Sequence, residues 1–170
     1  MCGLSESREN VVFGIGKTDR PRVAFVGEGP GANEDMKGVP FIGKAGLLLD
    51  QMIDAMSMGR EEVYITNVVL CRPPDNRKPH PHEAQACREF LVGQLRAVQP
   101  ECIVALGAAA AQALLGSKKK ISALMGDWYE WEGTPVRATF HPAYLLRDPS
   151  QKRKAWDDLQ AVMLRLGIVK

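Results

Sequence analysis

The segment Val23-Ala24-Phe25-Val26-Gly27 has no polar side chain and breaks at once into Glu28-Gly29-Pro30-Gly31. An apolar run this short, closed by Gly and Pro, reads as a strand buried on both faces, the mark of a parallel sheet covered by helices. Open sheets of that kind bind ligands outside the carboxyl ends of their strands. The loop is therefore the first place to look for a site, and its glycines let the backbone approach a bound molecule closely. Glu28 and Glu34 would repel phosphate, and no Gly-Lys-Ser/Thr follows. Nor does the Gly-x-Gly-x-Gly spacing match the dinucleotide fingerprint. On its own the loop is either a ligand site of another chemistry or a plain glycine-rich turn.

The remaining chain repeats the strand and helix alternation. Ala45, Leu48, Leu49, Met52, Ile53 and Met56 recur at helical spacing and predict a helix over about 44–58. Residues 63–70 form a second strand with Asn67 near its carboxyl end. Residues 102–107 form a third, leading into an alanine-rich helix over 108–115. Between them the segment 71–81 holds four prolines, so it is a stiff, exposed, cationic loop. Ala84, Cys87, Leu91, Leu95 and Val98 then mark a helix from about His82. Short strands are expected around 128–131 and 136–139, a last helix over about 151–166, and a β-like stretch over 10–14. Strands alternating with helices predict a three-layer α/β/α sandwich around a central, mainly parallel four-stranded sheet. At 170 residues the chain suits one domain, spanning 1–170.

No run reaches membrane-spanning length and the start lacks a secretion-signal layout, so a cytoplasmic, membrane-free monomer is expected. In that compartment the four cysteines, at 2, 71, 87 and 102, are metal ligands or core residues rather than disulfides. A net charge of +2 does not by itself establish a nucleic-acid partner, although Lys118-Lys119-Lys120 and Lys152-Arg153-Lys154 concentrate charge locally.

Three features fall at strand ends in this layout: the Gly27 loop, Asn67, and His141 just past the last strand. Their chemistry suits a planar heterocycle. An Asn amide offers a donor and an acceptor to a pyrimidine edge, Phe41 a face to stack on, and His141 a ring N–H to a carbonyl oxygen. Each also has an ordinary structural use, as backbone partner, core residue or turn.

The motifs 27–35 (GEGPGANED), 38–46 (GVPFIGKAG), 66–74 (TNVVLCRPP) and 141–147 (HPAYLLR), in this order, resemble the family-four, iron–sulfur uracil-DNA glycosylases, and the likeness runs from Cys2 to the last helix. The resemblance implies excision of uracil from DNA by hydrolysis of the N-glycosidic bond, in base excision repair. By position it implies that Phe41 stacks on the flipped base, Asn67 reads N3–H and O4, and Glu34 fills the space of a thymine methyl. The backbone around Glu28 and Gly29 would hold the pyrimidine and a weakly assisted attacking water. His141 is the candidate donor to the uracil O2 as negative charge collects there. Leu145 or Leu146 could wedge into the emptied stack, and Lys44, Arg72 and Arg147 are candidate phosphate contacts.

The resemblance also implies a four-iron, four-sulfur (4Fe-4S) cluster. Cys71 and Cys87 match two of its ligands and Cys2 a third, while the fourth would fall before Met1, leaving three of four in this sequence. Cys87 also falls on an apolar helical stripe and could be plain core. Cys102 begins a buried strand and is not a substitute. Two other readings stay open: a non-catalytic nucleic-acid or nucleobase-binding module of a replication or repair protein, and a glycosylase for another deaminated base such as hypoxanthine.

Overall fold

The computed structural model describes residues 2–168. Its strands are β1 Ile15–Gly16, β2 Val23–Gly27, β3 Tyr64–Asn67, β4 Cys102–Leu106, β5 Trp128–Trp131 and β6 Thr134–Thr139, joined in one sheet in the order β1-β3-β2-β4-β6-β5. β3, β2, β4 and β6 run parallel, whereas β1 and β5 are antiparallel edges. The expectation of four strands is thus corrected to six: four form the parallel centre and two flank it. β1 is only two residues long and leaves no periodic signal. The β-like stretch expected over 10–14 is not a strand but the extended lead into β1.

The helices are α1 Leu4–Ser7, α2 Ala32–Lys37, α3 Lys44–Ala55, α4 Pro81–Val98, α5 Ala108–Leu115, α6 Ile121–Leu124, α7 Pro142–Arg147 and α8 Lys152–Leu166. The long ones, α3, α4, α5 and α8, match the periodic segments of the sequence. α1, α2, α6 and α7 have four to six residues each, too few to repeat an apolar face. No described helix is long and apolar enough to cross a membrane.

Alternating side chains of the parallel strands divide the core. Ala24, Val26, Ile103, Ala105 and Val136 join the apolar cluster of α4 and α5, while Val23, Phe25, Ile65, Val104 and Leu106 join that of α3 and α8. Cys102 lies wholly inside the second cluster, and burial pushes its thiol up to about 12, as suits a core residue. The result is the three-layer sandwich expected from the alternation of strands and helices.

One ion pair crosses this core. Arg137 on β6 donates from Nε to Asp158 Oδ1 on α8 at 2.7 Å, with both side chains buried, and the Gly126 amide donates to the same oxygen at 3.1 Å. Removing one member of such a pair strands the other charge out of water. Asp158→Ala should therefore lower the unfolding free energy by about 3 kcal/mol or more. Urea titration checks this, and a loss below about 1 kcal/mol, the worth of a surface pair, would refute it.

Candidate active site

The parallel register sets Gly27 beside Asn67, so β2 and β3 leave the sheet at one level. A Cβ on residue 27 would lie 2.4 Å from the Phe41 ring and 2.6 Å from Asn67 Oδ1, so glycine is what lets ring and amide meet over the strand end. Asn67 is only 1% exposed, and its Oδ1 has no hydrogen-bond partner among the described residues. Leaving such an acceptor unpaired costs about 1–3 kcal/mol, which a ligand N–H would recover.

Phe41 has φ 52°, in the left-handed region. For a non-glycine residue this costs about 1–2 kcal/mol, so the surrounding structure must impose it. α3 packs directly on it, since a Cβ at Gly46 would come within 1.9 Å of the Phe41 carbonyl oxygen. Glu34 Oε1 accepts from the Ile42 and Gly43 amides at 3.1 and 2.9 Å. Glu34 therefore holds the turn after Phe41 as well as lining the cavity beside it.

His141 stacks on Phe41 with ring centroids 5.5 Å apart and planes 29° from parallel. It also caps α7, its Nδ1 accepting from the Ala143 amide at 3.0 Å. An accepting Nδ1 places the proton of the neutral ring on Nε2. Burial, and secondarily Arg147, lower the pKa of His141 to about 4, so the ring is a neutral N–H donor at pH 7.

Glu28, Gly29, Glu34, Phe41, Asn67 and His141 all line one cavity of about 340 Å³ at the carboxyl end of the sheet. Burial raises the pKa of Glu28, opposed by the positive charges of Lys78 and Arg147. Part of the wall was not legible in sequence: Pro73, Asn76, Arg77 and Pro79 of the proline-rich loop also line it. Arg77 forks onto Glu83 of α4, Nη1 to Oε2 at 2.9 Å and Nη2 to Oε1 at 2.7 Å, while the His80 amide donates to Oε2 at 2.8 Å. The Arg77 hydrogen bonds lead in lowering the Glu83 carboxyl to about 2. The clasp thus adds stability above the ordinary carboxylate pKa of 4.5 and loses it as pH falls toward about 2. The expected exposed loop is in this way tied down at one end.

The candidate DNA contacts divide. Lys44 is exposed on the cavity rim, and Arg147 is exposed and near enough to act on both Glu28 and His141. Arg72 is not part of the wall; its Nε donates to Asn76 Oδ1 at 2.8 Å. Of the two leucines, Leu145 is 1% exposed and packed in the apolar cluster with Phe41 and Leu48, so it is core and not a wedge. Leu146 is 44% exposed and is the one free to enter a base stack.

A second cavity, of about 240 Å³, brings together Cys2, Cys71 and Cys87 with Leu70, Phe13 and Phe90. Burial first, then the neighbouring Cys2 and Cys71, push the Cys87 thiol up. No three His, Cys, Asp or Glu side chains among the described residues converge tightly enough to hold a single metal ion. The three thiols instead line a hollow, an arrangement that fits a larger group whose own atoms stand between its ligands. A cationic centre there would offset the crowding of three thiolates.

The family model for the uracil DNA glycosylase superfamily matches residues 13–160. The type-4 uracil-DNA glycosylase of Thermotoga maritima is 48% identical over 153 residues, covering 89% of this chain and 79% of that protein. The type-4 enzyme of Archaeoglobus fulgidus is 41% identical over 95% of this chain and 84% of its own length, and that of Pyrobaculum aerophilum 39% identical over 93% and 84%. With the strand-end cavity, its orphaned amide and its neutral histidine in the segments that these similarities span, the chain belongs to the uracil-DNA glycosylase superfamily and, within it, to the type-4 family.

Proposed function

We propose that the protein hydrolyses the N-glycosidic bond of deoxyuridine in DNA, releasing uracil and leaving an abasic site. The observation that carries this reading is the buried, unpartnered Oδ1 of Asn67 facing a cavity walled by Phe41 and His141. Uracil supplies what that oxygen lacks: its N3–H donates to Oδ1, and the Asn67 side-chain N–H donates to O4. Cytosine presents the reverse pattern and would leave both amide groups unpaired, enough for roughly 10⁴-fold rejection. The Glu34 carboxylate is held in place by two backbone amides, and on this reading it fills the space that a 5-methyl group would need.

The target base reaches the cavity only by leaving the duplex, at a cost of a few kcal/mol that is lowest for a mispaired uracil. Leu146 fills the gap, and Lys44, Arg72 and Arg147 contact phosphates. As the C1′–N1 bond breaks, its electron pair passes into the pyrimidine and collects on O2, while the sugar becomes cationic. His141, neutral and held with its proton on Nε2, donates a hydrogen bond to O2 without having to shed a proton first. A donor of this kind is worth about 3–4 kcal/mol of transition-state stabilisation. Water held by the backbone around Glu28 and Gly29 adds to C1′ with only weak assistance, and its proton passes to solvent or to the departing uracil anion.

Cys2, Cys71 and Cys87 would hold an iron–sulfur cluster of the 4Fe-4S type, either by these three thiolates alone or with a fourth ligand. Bound there, it supplies cross-linking rather than redox chemistry, clamping the segment before β1 to the start of the proline-rich loop. The protein acts as a monomeric single domain in the cytoplasm, where thiols stay reduced.

Incubation with oligonucleotides containing uracil or inosine, followed by alkaline cleavage, tests the assignment. Strand breaks at uracil alone are expected. Breaks only at inosine would move the substrate to hypoxanthine, and none at either would leave a binding module. Asn67→Ala should reduce single-turnover excision by 10²-fold or more, on the order of an oxyanion-donor deletion; a near-wild-type rate would remove Asn67 from the mechanism. The His141 ring, followed by NMR, should stay neutral from pH 8 down to about 5 and titrate near about 4. Because the unfolded chain takes that proton first, its contribution to stability should fall as pH drops from 6.5 toward about 4. An inflection at 6.5 would contradict the assignment of a buried neutral donor. Anaerobically purified protein should contain iron and inorganic sulfide, both lost in Cys87→Ser; finding neither in the wild type would end the cluster proposal.

A further inference from the structure

Arg60 lies outside the cavity wall and outside all four sequence motifs, on the short 3-10 turn Arg60–Glu62 ahead of β3. Its guanidinium nevertheless reaches the loop that carries the stacking ring. Nη1 donates to the Phe41 carbonyl at 2.9 Å and to Asp50 Oδ1 at 2.6 Å, and Nη2 donates to the Pro40 carbonyl at 2.5 Å. We propose that Arg60 is the positioning residue for the stacking ring, fixing the backbone of Pro40 and Phe41 in the turn that presents Phe41 to the flipped base. The inference rests on the uracil-excision reading and deepens it.

The grip is two-sided. Arg60 takes two successive carbonyls on one side of the turn, and Glu34 takes the two following amides, of Ile42 and Gly43, on the other. Four backbone groups are thus satisfied by one cation and one anion. Between them sits the disfavoured φ of 52° at Phe41, a conformation that a non-glycine residue leaves unless it is held. Asp50, on α3, accepts from the same Nη1, an ion pair that comes in addition to the two carbonyl bonds. The planar fork matters: a lysine ammonium could pair with Asp50 but could not span both carbonyls with the same geometry. Released from Arg60, the turn relaxes toward an ordinary backbone region, and the ring rotates away from Asn67 and His141.

A double-mutant cycle tests this by its non-additivity. Excision of uracil from a single-stranded oligonucleotide is measured as kcat/KM for wild type, Arg60→Ala, Arg60→Lys, Phe41→Ala and Arg60→Ala combined with Phe41→Ala. Arg60→Ala should lose roughly 10- to 100-fold, the worth of a base–aromatic stack, with Arg60→Lys recovering little of it. In the Phe41→Ala background the same substitution should cost less than about threefold, because nothing remains for Arg60 to place. Asp50→Asn, which removes the ion pair and leaves both carbonyl bonds, should likewise stay within about threefold of wild type. Equal losses from Arg60→Ala in both backgrounds, full rescue by lysine, or an Asp50→Asn loss as large as that of Arg60→Ala would each overturn the inference while leaving uracil excision intact. A wild-type protein that releases no uracil would instead overturn the functional reading beneath it.

Discussion

The site hangs on one parallel pairing, Gly27 beside Asn67 at the carboxyl ends of β2 and β3. Backbone hydrogen bonds of the sheet set the height at which the Asn67 amide emerges, and the missing Cβ of Gly27 leaves room for amide and Phe41 ring to approach each other. Every other part of the cavity is placed relative to that pair. A shift of one residue in register would turn Asn67 toward the opposite face of the sheet.

Around this fixed point the protein uses buried and half-buried charges to hold irregular backbone. Asp35 accepts from the Glu9 and Asn10 amides at 2.9 and 3.1 Å, and the Asn10 side chain returns two bonds to the end of α2, so the Cys2 segment is tied to the helix bearing Glu34. Glu34 and Arg60 clamp the Phe41 turn, and the Arg77–Glu83 fork fastens the proline-rich wall. Loops cannot use ladder hydrogen bonds, and an unpaired buried backbone group is costly. Carboxylates and guanidiniums that accept or donate several bonds at once are the economical solution. The same logic makes the site sensitive to residues that never touch the base.

The two cavities differ in kind. The first is polar at its floor and carries an orphaned acceptor, so it is built to recognise a small molecule edge by edge. The second is lined by three thiols among apolar side chains and suits a soft-ligand group that holds segments together. They are joined through the chain, since Leu70 and Cys71 at the second lie only a few residues past Asn67. Holding the start of the proline-rich loop at one cavity therefore bears on its position at the other.

Much of this was legible in the amino-acid sequence, because it depends on local pattern. Short apolar runs ended by glycine specify β2 and β4, helical spacing gives α3, α4, α5 and α8, and the ordered motifs name Glu28, Glu34, Phe41, Asn67 and His141. The edge strand β1, the four short helices, the burial of Leu145 against the exposure of Leu146, and the grip of Arg60 and Arg77 on distant backbone had no such signal. The sequence by itself determined which chemistry is present and which segments pair with themselves. Only the tertiary structure decided which side chains share one hollow and which cations hold its walls, because a hydrogen bond between residues nineteen apart, such as Arg60 to Phe41, obeys no period that a linear reading can detect.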